Sequence, residues 1–179
     1  MVFEGLSPRL LSVLRFRLAL TVTAFSAYII GGYYLFPFSL PVMTSVTDRL
    51  IFTLRWQLLG GLTLLMGIQG VGKMRAKSEA ASDPIKGNGE HLVSVQNKIL
   101  RNTLEQFVFH FIGQLALCTY LSPEAMKTIP VLVTLFVIAR IIFQIIYPID
   151  AMKRIFGFMS TFLPTVGVYV YCLYCFLTQ

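Results

Sequence analysis

The sequence predicts an all-α integral membrane protein, a bundle of five spanning helices, on three observations. Apolar residues make up 56% of the 179 positions and the mean hydropathy is +0.73, whereas soluble domains hold about 45–50% apolar residues. The excess is gathered into five runs, each near the length of about 20 helical residues that crosses a hydrocarbon core. The lysines and arginines crowd one alternate set of run ends, as the positive-inside bias of membrane helices requires.

The first run, Arg17–Phe36, follows Arg9, Arg15 and Arg17 and so has the charge profile of a signal peptide. It is too long for one and has no small-residue cleavage site before Pro37, which leaves a spanning helix. Pro37, Pro41, Asp48 and Arg49 then make a short external connection. The second run, Leu50–Val71, carries Gly60, Gly61, Gly67 and Gly70, residues that let another helix approach closely. Its end, Gly67 to Lys73, has the glycine and lysine positions of a phosphate loop. Met74 stands where the magnesium-binding hydroxyl belongs and a membrane helix precedes instead of a strand, so nucleotide binding is excluded.

Residues 73–97 form a polar cytoplasmic loop with the turn formers Asp83-Pro84 and Gly87-Asn88-Gly89. Helical patterning resumes near Leu92 and passes through Lys98 and Arg101 into the third run, Leu104–Leu121. Ser122-Pro123-Glu124 turns the chain outside, Ile129–Tyr147 is the fourth run, Tyr147-Pro148-Ile149-Asp150 turns it inside, and Ile155–Leu177 is the fifth. The organisation is thus 1–49, an amino-terminal segment with one extra span and its external loop, followed by 50–179, a four-helix membrane unit.

With the amino terminus inside, eleven cations from Arg9 to Arg154 face the cytoplasm and only Arg49, Arg55 and Lys127 lie opposite. That places the carboxyl terminus outside. Net charge is +7, yet the charge sits at membrane boundaries with no soluble domain to carry a groove reader, so nucleic acid is excluded as a partner. Cys118, Cys172 and Cys175 fall within spans, away from any paired loop spacing, and read as packing residues rather than disulfide or zinc ligands.

A charge at bilayer depth costs about 3 kcal/mol on insertion scales, so the polar residues in and beside the runs point to a working site. Lys98, Arg101, Asn102 and Glu105 recur at helical spacing on one face. Together they offer cations for carboxylates, an amide for a peptide bond and a carboxylate for an amine, a set that suits a small zwitterionic peptide. Arg140 and Tyr147, seven residues apart, share a face of the fourth run, and Arg154 opens the fifth. Arg140 is flanked by Val137, Ile138, Ile141 and Ile142, and Glu105 is the only acidic residue in any of the five runs, so a Glu105–Arg140 ion pair between helices is expected. His110 reads as a bonded core histidine, and Gln114 and Gln144 as interhelical hydrogen-bonders.

These residues resemble the membrane-associated proteins in eicosanoid and glutathione metabolism, the MAPEG family. The resemblance covers Leu50 to Leu177 and rests on Arg101-Asn102-Thr103-Leu104-Glu105, on Ala139-Arg140 with Tyr147, and on Arg154. The extra span and the strings Gln106-Phe107-Val108-Phe109, Leu117-Cys118-Thr119-Tyr120-Leu121 and Phe162-Leu163-Pro164 look most like its five-span mattrin branch.

The resemblance implies a homotrimer of four MAPEG-like helices plus one extra amino-terminal helix, with glutathione bound between subunits at the cytoplasmic leaflet. Lys98, Arg101, Asn102, Glu105, Arg140 and Tyr147 would hold the peptide. Arg154 would lie beside the sulfur as the catalytic group, since a neighbouring cation favours the thiolate. A lipophilic substrate would then arrive from the lipid bilayer for conjugation or reduction. The chain departs from active members at Lys98, where the family has arginine, and at Phe143, where they carry tyrosine or histidine. Two readings therefore stay open: a glutathione-dependent transferase or peroxidase, and a catalytically inactive mattrin-like multi-pass protein of the endoplasmic reticulum, Golgi or lysosome that acts through protein or lipid interactions.

Overall fold

A computed structural model of the chain describes residues 8–35, 37, 39–83, 85, 89–149 and 154–178, without the side chains of residues 8–10 and 154. The described residues are helical nearly throughout. Six α-helices follow in order, α1 Pro8–Leu35, α2 Val46–Arg75, α3 Glu79–Ser82, α4 Glu90–Tyr120, α5 Thr128–Ile146 and α6 Arg154–Thr178, with a 3₁₀ turn at Pro123–Lys127 before α5.

Four segments are long and apolar enough to cross a membrane: Leu11–Leu35, Val46–Arg75, Pro123–Ile146 and Ile155–Thr178. The remaining expected span, Leu104–Leu121, lies in α4, which has 31 residues. Its apolar run is diluted by Gln106, His110 and Gln114, which are all buried against neighbouring helices. The polarity of α4 is thus turned inward, and the helix packs chiefly on α2 and α6.

Local chemistry explains the helix ends. Ser45 and Asp48 form a reciprocal capping box, with Asp48 N donating to Ser45 Oγ at 3.1 Å and Ser45 N to Asp48 Oδ2 at 2.9 Å, so α2 starts four residues before the apolar run. The polar loop is shorter than expected, because α2 continues to Arg75 and α4 has already begun at Glu90. Arg75 ties these two ends together, donating Nη2 to Glu90 at 2.8 Å and Nη1 to Ala81 O at 2.9 Å. Pro84 and residues 86–88 of this loop lie outside the described residues, as does Asp150 of the turn after α5.

Two of the four glycines of α2 act as close-packing positions. A Cβ on Gly60 would meet the Phe107 ring at 2.9 Å and one on Gly67 would meet Leu100 Cδ1 at 3.1 Å, both on α4. Gly61 and Gly70 face open space, contrary to the expectation for them. Cys118, Met126, Ile129, Val133 and Cys172 are buried in an apolar cluster of α4, the 3₁₀ turn, α5 and α6, and the two cysteines pack there free of disulfides. The extra helix α1 leans on α5 and α6, pinned where Tyr28 OH donates to Thr134 Oγ1 at 3.0 Å.

Candidate functional site

The amino-terminal half of α4, the last turn of α5 and the start of α6 converge on one cavity of about 350 Å³, lined by Lys98, Arg101, Asn102, Glu105, Phe143, Tyr147 and Phe158. Five residues singled out in the sequence, Lys98, Arg101, Asn102, Glu105 and Tyr147, therefore share a single wall system. The spacing on α4 accounts for this, since positions three and four apart stack along one face. Lys98, Arg101 and Glu105 are exposed in the single chain and Asn102 is half-buried. Arg101 and Glu105 make no ion pair with each other. The pair between described residues is Arg75–Glu90, so the site's cations and carboxylate remain available to a ligand.

Arg140 occupies a different place from the one expected. Its side chain is 0% exposed and does not line the cavity. Nη1 donates to Asn102 Oδ1 at 3.0 Å, and Nη2 donates to Gly157 O at 3.0 Å and Thr161 Oγ1 at 2.8 Å. The guanidinium also sits over the Phe143 ring, 4.4 Å from its centroid. The expected Glu105–Arg140 pair is thus absent, for a physical reason. Three neutral acceptors take the two terminal nitrogens, leaving Nε buried without a partner, and Glu105 stays on the open side of α4, avoiding the penalty of several kcal/mol for burying a second ion.

This arrangement makes Arg140 a bracket behind the site. Arginine can only donate, so the Asn102 amide must present its oxygen to Arg140, leaving the amide NH₂ to face a ligand carbonyl. The bracket continues through Thr161 Oγ1, which lies 3.3 Å from Gln106 Oε1, tying α4, α5 and α6 into one polar network. Gly157, Thr161, Gln106 and Phe158 escaped the sequence reading. Gln106 was accessible to it, one turn after Asn102, whereas a backbone carbonyl and a hydroxyl give no sequence signal of an arginine partner.

The other polar expectations divide. Gln144 Nε2 donates to Thr63 O of α2 at 2.8 Å, an interhelical bond as anticipated. His110 is a core residue stacked on Phe136, with centroids 4.5 Å apart, but its Nε2 has no partner, and neither has Gln114 Oε1. Both line a narrow cavity at the Pro164 region of α6 together with Ser160, whose hydroxyl is likewise unpartnered. The side chain of Arg154, the expected catalytic group, lies outside the described residues; its backbone begins α6.

Glu105→Gln follows directly from this geometry. It removes no folded-state ion pair, so the effect should stay within the roughly ±0.5 kcal/mol typical of exposed sites, a shift of at most about 2 °C in the thermal midpoint in detergent for a chain of this size. A loss of several degrees would restore the Glu105–Arg140 pairing.

The family model described as the MAPEG family matches residues 53–174. Transmembrane protein 79 of Bos taurus is 29% identical over 150 residues, covering 84% of this chain and 38% of that protein. Its Mus musculus counterpart is 27% identical over 150 residues with the same coverage, 84% and 38%. Both are mattrins, the branch the sequence resembles, and the chain spans well under half of their length. No solved structure matches the chain significantly. With α4, α5 and most of α2 and α6 inside the matched region, and the polar residues of α4 and α5 meeting at one cavity there, the chain belongs to the MAPEG family.

Proposed function

We propose that the α4–α5–α6 cavity binds glutathione, held by the side chains that line it. The observation that carries this reading is the convergence of Lys98, Arg101, Asn102, Glu105 and Tyr147 on one cavity of about 350 Å³, within the range of about 300–1,000 Å³ usual for small-molecule sites. The donor set fits the ligand's chemistry. Lys98 and Arg101 match its two carboxylates, Glu105 its ammonium, and the Asn102 amide a peptide carbonyl. Arg140 serves by holding Asn102 rather than by contact.

The cavity is open in the single chain, with Leu104, Val108 and Ile112 forming an exposed apolar stripe on α4 beside it. A homotrimer in which a neighbouring copy covers that stripe would close the site. The site would face the cytoplasm, with the amino terminus on the same side and the carboxyl terminus lumenal, in an endomembrane. Arg154, at the head of α6, would favour the thiolate of the bound peptide, and a lipophilic electrophile would reach it from the bilayer.

A second reading, binding without turnover in a mattrin-like protein, is favoured by two features. Arg140 is withdrawn from the cavity, and Phe143 puts a hydrocarbon ring where a polar wall would help chemistry.

Equilibrium binding of glutathione to purified protein, with Arg101→Ala and Arg154→Ala beside wild type, tests the assignment. Arg101→Ala should weaken binding at least tenfold, equivalent to about 1.4 kcal/mol, while Arg154→Ala spares binding. Conjugation of an aryl chloride by wild type but not by Arg154→Ala selects the enzyme. Binding with no conjugation selects the second reading. Equal affinity in wild type and Arg101→Ala contradicts both.

A further inference from the structure

We propose that the groove between α1 and the α5–α6 pair is a binding site for one glycerophospholipid, its phosphate on Arg17 and one acyl chain along the groove. The helices do not close here. Two adjoining apolar hollows, of about 270 Å³ and about 220 Å³, share Phe156. The first is bounded by Arg17, Leu20, Ile146 and Ile155, and the second by Phe25, Tyr28, Ile138 and Ile142. Ala24 on α1 and Ala139 on α5 also line the second hollow, and their small side chains leave the space that larger residues would fill.

Length and charge identify the occupant. From Arg17 to Tyr28 a helix rises roughly 16 Å, which matches the depth of one leaflet, half of a core roughly 30 Å thick. The far end is shut by the Tyr28–Thr134 hydrogen bond of 3.0 Å. At the near end Arg17 Nη1 is buried and has no hydrogen-bond partner. An unpartnered guanidinium N–H at the mouth of a hydrocarbon slot calls for an anionic oxygen, and a planar fork suits a phosphate bidentately. The mouth lies by the carboxyl end of α5 and the start of α6. It is therefore on the membrane side of the polar cavity, where lipid phosphates meet the helix ends. The groove is open laterally, so the second acyl chain stays in the bilayer.

The groove uses a different face of α5 from Phe143 and Tyr147 and shares no lining residue with the polar cavity. The proposal therefore stands independently of glutathione binding.

Native mass spectrometry of the delipidated full chain tests it, titrating palmitoyl-oleoyl phosphatidylglycerol, the phosphatidylcholine with the same chains, and oleate. Wild type should retain one phospholipid per chain with either headgroup and hold oleate at least fivefold more weakly. Arg17→Gln should weaken phospholipid retention at least fivefold, and Ala24→Phe, which fills the hollow from the exposed side of α1, should do the same. Retention by Arg17→Gln equal to wild type overturns the phosphate contact. Retention by Ala24→Phe equal to wild type overturns the acyl slot, and oleate held as tightly as phospholipid assigns the site to a free fatty acid instead.

Discussion

Arg140→Ala should destabilise the folded protein more than any other single substitution considered, by about 3–8 kcal/mol, through two effects that add. Truncating a fully buried side chain leaves a cavity among α4, α5 and α6, and large-to-small changes in cores cost about 2–5 kcal/mol. It also orphans Asn102 Oδ1 and removes one bond each from Gly157 O and Thr161 Oγ1, which keep other partners; all three accept from the guanidinium at 2.8–3.0 Å. Each buried acceptor left unmade costs about 1–3 kcal/mol when no water replaces the donor. Arg140→Lys retains the charge but not the fork, cannot reach all three acceptors from one nitrogen, and should fall between alanine and wild type. Thermal unfolding in detergent at fixed protein concentration reads the order wild type, lysine, alanine. A variant series in which alanine equals wild type removes the bracket from the account.

Gly157→Val is the second large effect and acts by excess volume. A Cβ at this position would lie 2.7 Å from Phe143 Cβ, 2.8 Å from Ala139 O and 2.9 Å from Phe143 Cα. Two of these atoms are backbone, so no rotamer change relieves the clash and α6 must retreat from α5. Overpacking costs typically about 1–3 kcal/mol, and a branched side chain belongs at the upper end. The retreat also carries the Gly157 carbonyl away from Arg140 and Phe158 away from the cavity wall, so glutathione binding should fall with stability. Gly61→Val on α2, whose Cβ position meets nothing within 4 Å, is the control and should leave both unchanged.

Helix positions were legible because run length and hydropathy are local properties. The expected runs Ile129–Tyr147 and Ile155–Leu177 agree with α5 at Thr128–Ile146 and α6 at Arg154–Thr178 to within a residue. The faces of α4 were legible for the same reason, since the 3.6-residue repeat alone places Lys98, Arg101, Asn102 and Glu105 together. What periodicity does not contain is how far one helix rotates and slides against another. The partner of Arg140 depends on that rotation, and the acceptors it finds are an amide, a hydroxyl and a carbonyl rather than the carboxylate that charge balance suggested. The same limit separates Gly60 and Gly67, which receive α4 side chains, from Gly61 and Gly70 on the other side of α2. The groove under α1 was equally invisible, being made by where small residues of two distant segments meet.

The proposed function requires that the polar side chains of α4 and α5 hold a small zwitterionic peptide. Equilibrium dialysis of labelled glutathione against the purified wild-type chain tests it most directly. Saturable binding of one glutathione per site is expected, with an affinity of about millimolar or tighter, equivalent to at least about 4 kcal/mol. No saturable binding at concentrations well above millimolar would contradict it.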